Sequence, residues 1–102
     1  MICLIITTSD SKEKAQLIAK ALISKKLAAC VQIDTVESFY SWKEEIRQDK
    51  EYRLMIKTLK SKYKSIENEI AQLNNYDVSQ VTCLDIDQSL EVYSKWIQDY
   101  VK

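Results

Sequence analysis

No glycine, no proline and no histidine occur anywhere in this chain. The missing glycines exclude Rossmann and P-loop phosphate cradles, because both need a backbone that can approach phosphate closely. The missing histidines exclude Ser-His-Asp and Cys-His catalysis and histidine-ligated zinc. Turns must be built from Asn, Asp, Ser and Lys, and Asn74-Asn75 is the expected left-handed site. An excess of either charge is also lacking, since 15 Lys+Arg stand against 15 Asp+Glu. That balance argues against nucleic-acid binding, which is driven by a basic surplus. The apolar run Ile2–Ile6 is too short to span a bilayer and lacks the features of a signal peptide. A cytoplasmic chain with no membrane contact is expected. The three cysteines, Cys3, Cys30 and Cys83, are odd in number and unpaired as Cys-x-x-Cys, so they read as buried, reduced thiols.

What is present is an ordinary globular composition, 46% apolar and 29% charged, and one domain over residues 1–102. The β-branched run within Met1–Thr7 predicts a strand whose two faces, Ile2/Leu4/Ile6 and Cys3/Ile5/Thr7, are both apolar and both need cover. Asp10 followed by Glu13 opens a helix on which Ala15, Ile18, Ala21 and Leu22 share a face. Leu27–Ile33 is a second strand, expected to kink at Asp34-Thr35 and continue through Val36–Trp42. Residues 43–50 form a charged hairpin turn, and 51–58 return as a third strand. A second helix, capped by Ser61, carries Tyr63, Ile66, Ile70 and Leu73. A fourth strand falls within 78–86, and a last helix, capped by Asp87 or Ser89, carries Val92, Tyr93, Trp96 and Ile97.

The order β-α-β-β-α-β plus a helix predicts an α+β, ferredoxin-like sandwich with a long β-hairpin and an extra C-terminal helix. One sheet face would then lie bare, with Cys3, Ile5, Ala28, Cys30 and Met55 expected on it. Covering each large side chain there is worth ~1.5–3 kcal/mol. An apolar patch of that size calls for further copies of the chain.

The run Lys26-Leu27-Ala28-Ala29-Cys30-Val31 is followed in order by Ser38-x-Tyr40-x-Trp42, Ile56-Lys57-Thr58, Tyr76-Asp77-Val78 and Tyr93-x-x-Trp96-Ile97. Together these resemble the CutA divalent-cation tolerance proteins over nearly the whole length. The resemblance implies a homotrimer with its sheets turned toward the three-fold axis, a role in tolerance of copper and other divalent metals, and no enzymatic turnover. It also implies kinship in architecture with the PII signalling trimers. Copper-binding members carry an imidazole where this chain has Asn74, and some carry a thiol where it has Thr7, so the family's histidine ligand is not available here.

Cys30 is the candidate soft-metal ligand, since thiolates select copper(I) and zinc. No cofactor is required, and any copper or other divalent metal is expected to bind weakly. Trp42, Lys57 and Tyr76 are candidates to line an inter-subunit cleft that takes an anion or small ligand, the arrangement a PII-like sensor would use. Asp85-x-Asp87 could hold a hard cation or merely end a strand. An RNA-recognition sheet would want a basic excess, and an acylphosphatase-like loop would want glycine where Thr8-Ser9-Asp10 stand.

Overall fold

The computed structural model describes residues 1–102 in full. Its elements are β1 (Ile2–Ser9), α1 (Lys12–Ser24), β2 (Cys30–Trp42), β3 (Glu45–Leu59), α2 (Tyr63–Leu73), β4 (Val81–Asp85) and α3 (Glu91–Tyr100). The four strands form one antiparallel sheet in the order β2-β3-β1-β4, the ferredoxin-like arrangement of an α+β sandwich.

Parity along β3 decides which side of the sheet the helices cover. Leu54 and Ile56 alternate with Arg53, Met55 and Lys57, so the fully apolar set turns inward. The pairings Ile5↔Ile56 and Thr7↔Leu54 then commit β1 to the same choice. Cys3, Ile5, Leu54 and Ile56 are closed over by Ala15, Ile18 and Leu22 of α1 and by Ile66 and Ile70 of α2. Cys3, Ile5 and Ala28 therefore lie in the helix-covered core, not on the bare face where they were expected. That face carries Leu4, Ile6, Cys30, Met55 and Lys57 instead, and they are only partly covered. At one end of it α3 makes a second small core, in which Ile97 and Val101 enclose Ile2 and Ala29. No helix is long and apolar enough to cross a membrane.

The left-handed positions fall elsewhere than expected. Asn74 has φ −108°, whereas Lys26, Lys43 and Glu44 have φ 59°, 51° and 67°. Lys26 ends α1 where a glycine would normally stand. Its amide donates to the Ile23 carbonyl and the Leu27 amide to the Leu22 carbonyl, closing a Schellman-type cap. Lys43-Glu44 is a two-residue hairpin turn with positive φ at both places, the geometry that matches strand twist. The turn is thus far tighter than the charged loop over 43–50 that composition suggested, and Glu45 already pairs with Trp42. No break interrupts β2 at Asp34-Thr35, where Asp34 is fastened across to Arg53 by two hydrogen bonds of 2.7 and 3.1 Å. Helix caps differ too. Ser11 caps α1 by accepting from the Lys14 amide at 3.0 Å, while α2 and α3 start without a side-chain cap.

β1 stops pairing with β3 at Ser9↔Tyr52, yet the β2–β3 ladder continues to the turn. Residues 36–51 therefore project as a two-stranded arm, giving the protomer extents of 45 × 26 × 21 Å. Such a ribbon is marginal in water on its own. Phe39 and Ile46, on this arm, are 64% and 86% exposed.

Candidate functional site: the cleft at the base of the arm

Where the arm leaves the sheet, it and the segment 75–80 before β4 enclose a cleft of about 800 Å³. Tyr40 and Trp42 reach it from β2, Asp49 and Glu51 from β3, and Tyr76 and Asp77 from the connection after α2. Tyr76 donates its hydroxyl proton to Glu51 at 2.7 Å. Burial, and then that carboxylate, push its pKa well above the usual phenol range. Tyr40 donates to Asp49 across the arm, and its pKa is raised chiefly by that bond. Both phenols are therefore donors at neutral pH.

The cleft's charge is the reverse of an anion cradle. Asp10, Asp49, Glu51 and Asp77 line it against Arg47 and Lys50. Within one protomer it suits a cation or a neutral hydrogen-bonding ligand, and an anion would need further positive charge from a neighbouring copy.

Trp42 and Tyr76 thus meet in one cavity, but Lys57 does not join them. It lies six residues beyond Glu51 on β3, about 20 Å along the strand. Its ammonium sits 5.5 Å from the centre of the Tyr93 ring. A cleft holding all three residues would take Lys57 from another copy. Cys30 pairs with Lys57 on the open face, on the opposite side of the sheet from Cys3 and Cys83, so the register keeps it from any second thiol in its own chain. No group of three or more His, Cys, Asp or Glu side chains is gathered as a metal site within the protomer. Asp85 is held by Lys60 at 3.2 Å, and Asp87 lies exposed beyond the end of β4.

Asn74 is buried and fully engaged. Its amide nitrogen donates to the Thr8 carbonyl at 2.8 Å and its oxygen accepts from the Ser9 hydroxyl at 3.4 Å. It ties the end of α2 to the end of β1 and so sets the floor from which Tyr76 rises. Nearby, the Thr7 hydroxyl is buried without a partner. On the helix side of the sheet, Cys3 is pushed up to about 12 by burial and by the adjacent Cys83 thiol.

Sequence reasoning missed Tyr40, Asp49 and Glu51 as parts of the cleft. Counting outward from a two-residue turn would have found the Tyr40/Asp49 side of the arm, but the turn itself gave no glycine to mark it.

Comparison with known proteins fixes the family. The model of the CutA1 divalent ion tolerance protein family matches residues 3–100. The divalent-cation tolerance protein CutA of Archaeoglobus fulgidus is 33% identical over 98 residues, covering 96% of each chain. A CutA homolog of Xenopus laevis is 40% identical over 95 residues, covering 92% of this chain and 63% of its own. The solved structure of the periplasmic divalent cation tolerance protein CutA from Archaeoglobus fulgidus superposes with a TM-score of 0.97 at 32% identity, each chain covered in full. The chain belongs to the CutA1 divalent ion tolerance family.

Proposed function

We propose that this protein works as a homotrimer in tolerance of divalent metal ions, copper among them, through weak metal binding or contact with a partner protein and without turnover. The observation that carries this reading is the half-covered sheet face. Leu4, Ile6 and Met55 lie there half-covered, and on the arm beyond it Phe39 and Ile46, which the register places on the other side of the ribbon, stand in water as well. Each large side chain withdrawn from water there contributes ~1.5–3 kcal/mol, enough in several copies to hold protomers together. Light scattering should report three times the 11.9 kDa of one chain. A stable single chain at micromolar concentration would overturn the assembly.

Metal binding is weak in this reading because Cys30 has no second ligand in its own chain. Calorimetry with copper(I), copper(II) and zinc on the native chain and on Cys30→Ala tests it. Copper(II) or zinc binding that is unchanged by the substitution would refute a role for Cys30. A cytoplasmic location is proposed from the three free thiols, which suit a reducing compartment. Cell fractionation decides between that and the periplasm named for the Archaeoglobus relative.

The cleft of about 800 Å³ favours a second reading, a PII-like trimer that senses a small molecule between subunits. A thermal-shift screen should find a stabiliser whose effect is lost in Trp42→Ala. If an anion is the ligand, Lys57→Ala should abolish the shift as well.

A further inference from the structure

Cys3 and Cys83 have no part in the cleft or the open face, yet the register makes them neighbours. β1 and β4 are antiparallel with Ile5 opposite Cys83 and Cys3 opposite Asp85. The two cysteines are therefore diagonal neighbours on the same, helix-covered side of the sheet. Cys3 sits in the core beneath α1 and α2, and Cys83 packs against that same core. Cys3 is fully buried, and Cys83 is half-buried on the short edge strand. Neither is in a disulfide.

We propose that Cys3 and Cys83 form a two-coordinate thiolate site for a soft monovalent cation, copper(I). The ligand count selects the metal. Zinc wants four ligands and calcium six or more oxygens, and nothing else here supplies them. Two thiolates in an apolar pocket suit copper(I), the softest of the common biological ions. Distance points the same way. Diagonal neighbours in an antiparallel pair lie roughly 7 Å apart. A disulfide needs Cβ atoms about 3.8 Å apart. A linear sulfur–metal–sulfur bridge adds about 4.5 Å between the sulfurs, taking a metal–thiolate bond as about 2.3 Å, and so fits the diagonal.

Binding is a ligand exchange with no change of oxidation state. Each S–H bond breaks, two protons leave to solvent, and two S–Cu bonds form, so the bridge carries one net negative charge. Asp85, opposite Cys3, and Lys60, bonded to it at 3.2 Å, form an ion pair beside the site in which the carboxylate opposes and the ammonium favours a charged thiolate, and Tyr63 of α2 stands beside Cys83. Entry is through Cys83, whose exposed edge lets the ion land before Cys3 captures it. The site stands on the register alone and is independent of Cys30 and of the trimer.

The test is anaerobic titration of the full chain with copper(I) held by a coloured bidentate chelator, with zinc as comparison. The native chain and Cys30→Ser should each take one copper(I) per chain, while zinc dialyses away. Cys83→Ser should bind on the order of 100-fold more weakly, as expected when the second of two tethered contacts is lost. X-ray absorption should show a shell of two sulfurs. Unchanged affinity in Cys83→Ser, loss in Cys30→Ser, or a nitrogen or oxygen shell would overturn the site. Cys3→Ser repeats the test in the core, and circular dichroism reads its fold. If it unfolds, half-buried Cys83 decides. Light scattering on the same samples separates this result from the trimer, since a single chain that binds copper(I) sustains this site while refuting that assembly.

Discussion

Replacing Asn74 by alanine tests whether one buried amide joins α2 to β1 beneath the cleft. The change removes the 2.8 Å bond to the Thr8 carbonyl and the longer, weaker 3.4 Å bond from the Ser9 hydroxyl. Each bond contributes about 1 kcal/mol net, and a buried partner left unpaired costs about 1–3 kcal/mol more. Ser9 is fully buried and Asn74 nearly so, leaving water little room to substitute. The Ser9 hydroxyl can turn to another acceptor, so the Thr8 carbonyl dominates, and the total loss should be about 2–4 kcal/mol. For a domain of this size that corresponds to a fall in Tm of roughly 10–25 °C. Urea and thermal unfolding at matched chain concentration measure it, because assembly makes stability concentration-dependent. Asn74→Asp keeps the acceptor for Ser9 but cannot donate to Thr8, so it should recover little of the loss. A double-mutant cycle with Ser9→Ala isolates the weaker bond, expected at a few tenths of a kcal/mol to about 1 kcal/mol. An Asn74→Ala loss within about 0.5 kcal/mol, the range of an ordinary surface substitution, would refute the argument.

Other outcomes follow from the same structure. Ile6→Asp puts an unpaired carboxylate on the half-covered sheet face, so light scattering should report dissociation to single chains with helical content retained. Glu44→Gly relieves a left-handed residue, a gain of about 1–2 kcal/mol against about 0.5–1 kcal/mol of added unfolded-state entropy, so unfolding should shift modestly toward greater stability. The Arg53 guanidinium holds Asp34 below the ordinary carboxylate range. The folded pKa is the lower one, so the pair's contribution is complete above the ordinary aspartate value and is lost as pH falls through the depressed one. Asp34→Asn should flatten stability against pH on that acid limb and leave the neutral region alone. Tyr40, Tyr63 and Tyr76 are all raised by a hydrogen-bonded carboxylate, by burial, or by both. Ultraviolet titration should therefore show these phenols ionising late. Tyr76→Phe should remove one of these late phenols.

The order of strands and helices was legible in the chain because period-two and helical stripes are local patterns. Ile18 and Leu22, or Ile66 and Ile70, announce a buried helix face wherever the helix is placed. The family was legible as well, since Leu27–Val31 and Ser38-x-Tyr40-x-Trp42 are short, ordered and specific. Absence also spoke clearly. Without histidine or glycine, whole classes of chemistry were closed before any folding.

Tertiary structure alone decided which side of β1 faces the helices. A strand apolar on both faces carries no sign of its own, and only pairing with β3, whose Arg53 and Lys57 must turn outward, supplies one. The left-handed turns fell to Lys26, Lys43 and Glu44 because cap and hairpin geometry can impose a conformation that intrinsic preference resists. The acidic cleft and the Cys3–Cys83 pair join residues far apart in the chain. Their meeting is a matter of register through space, which no local pattern encodes.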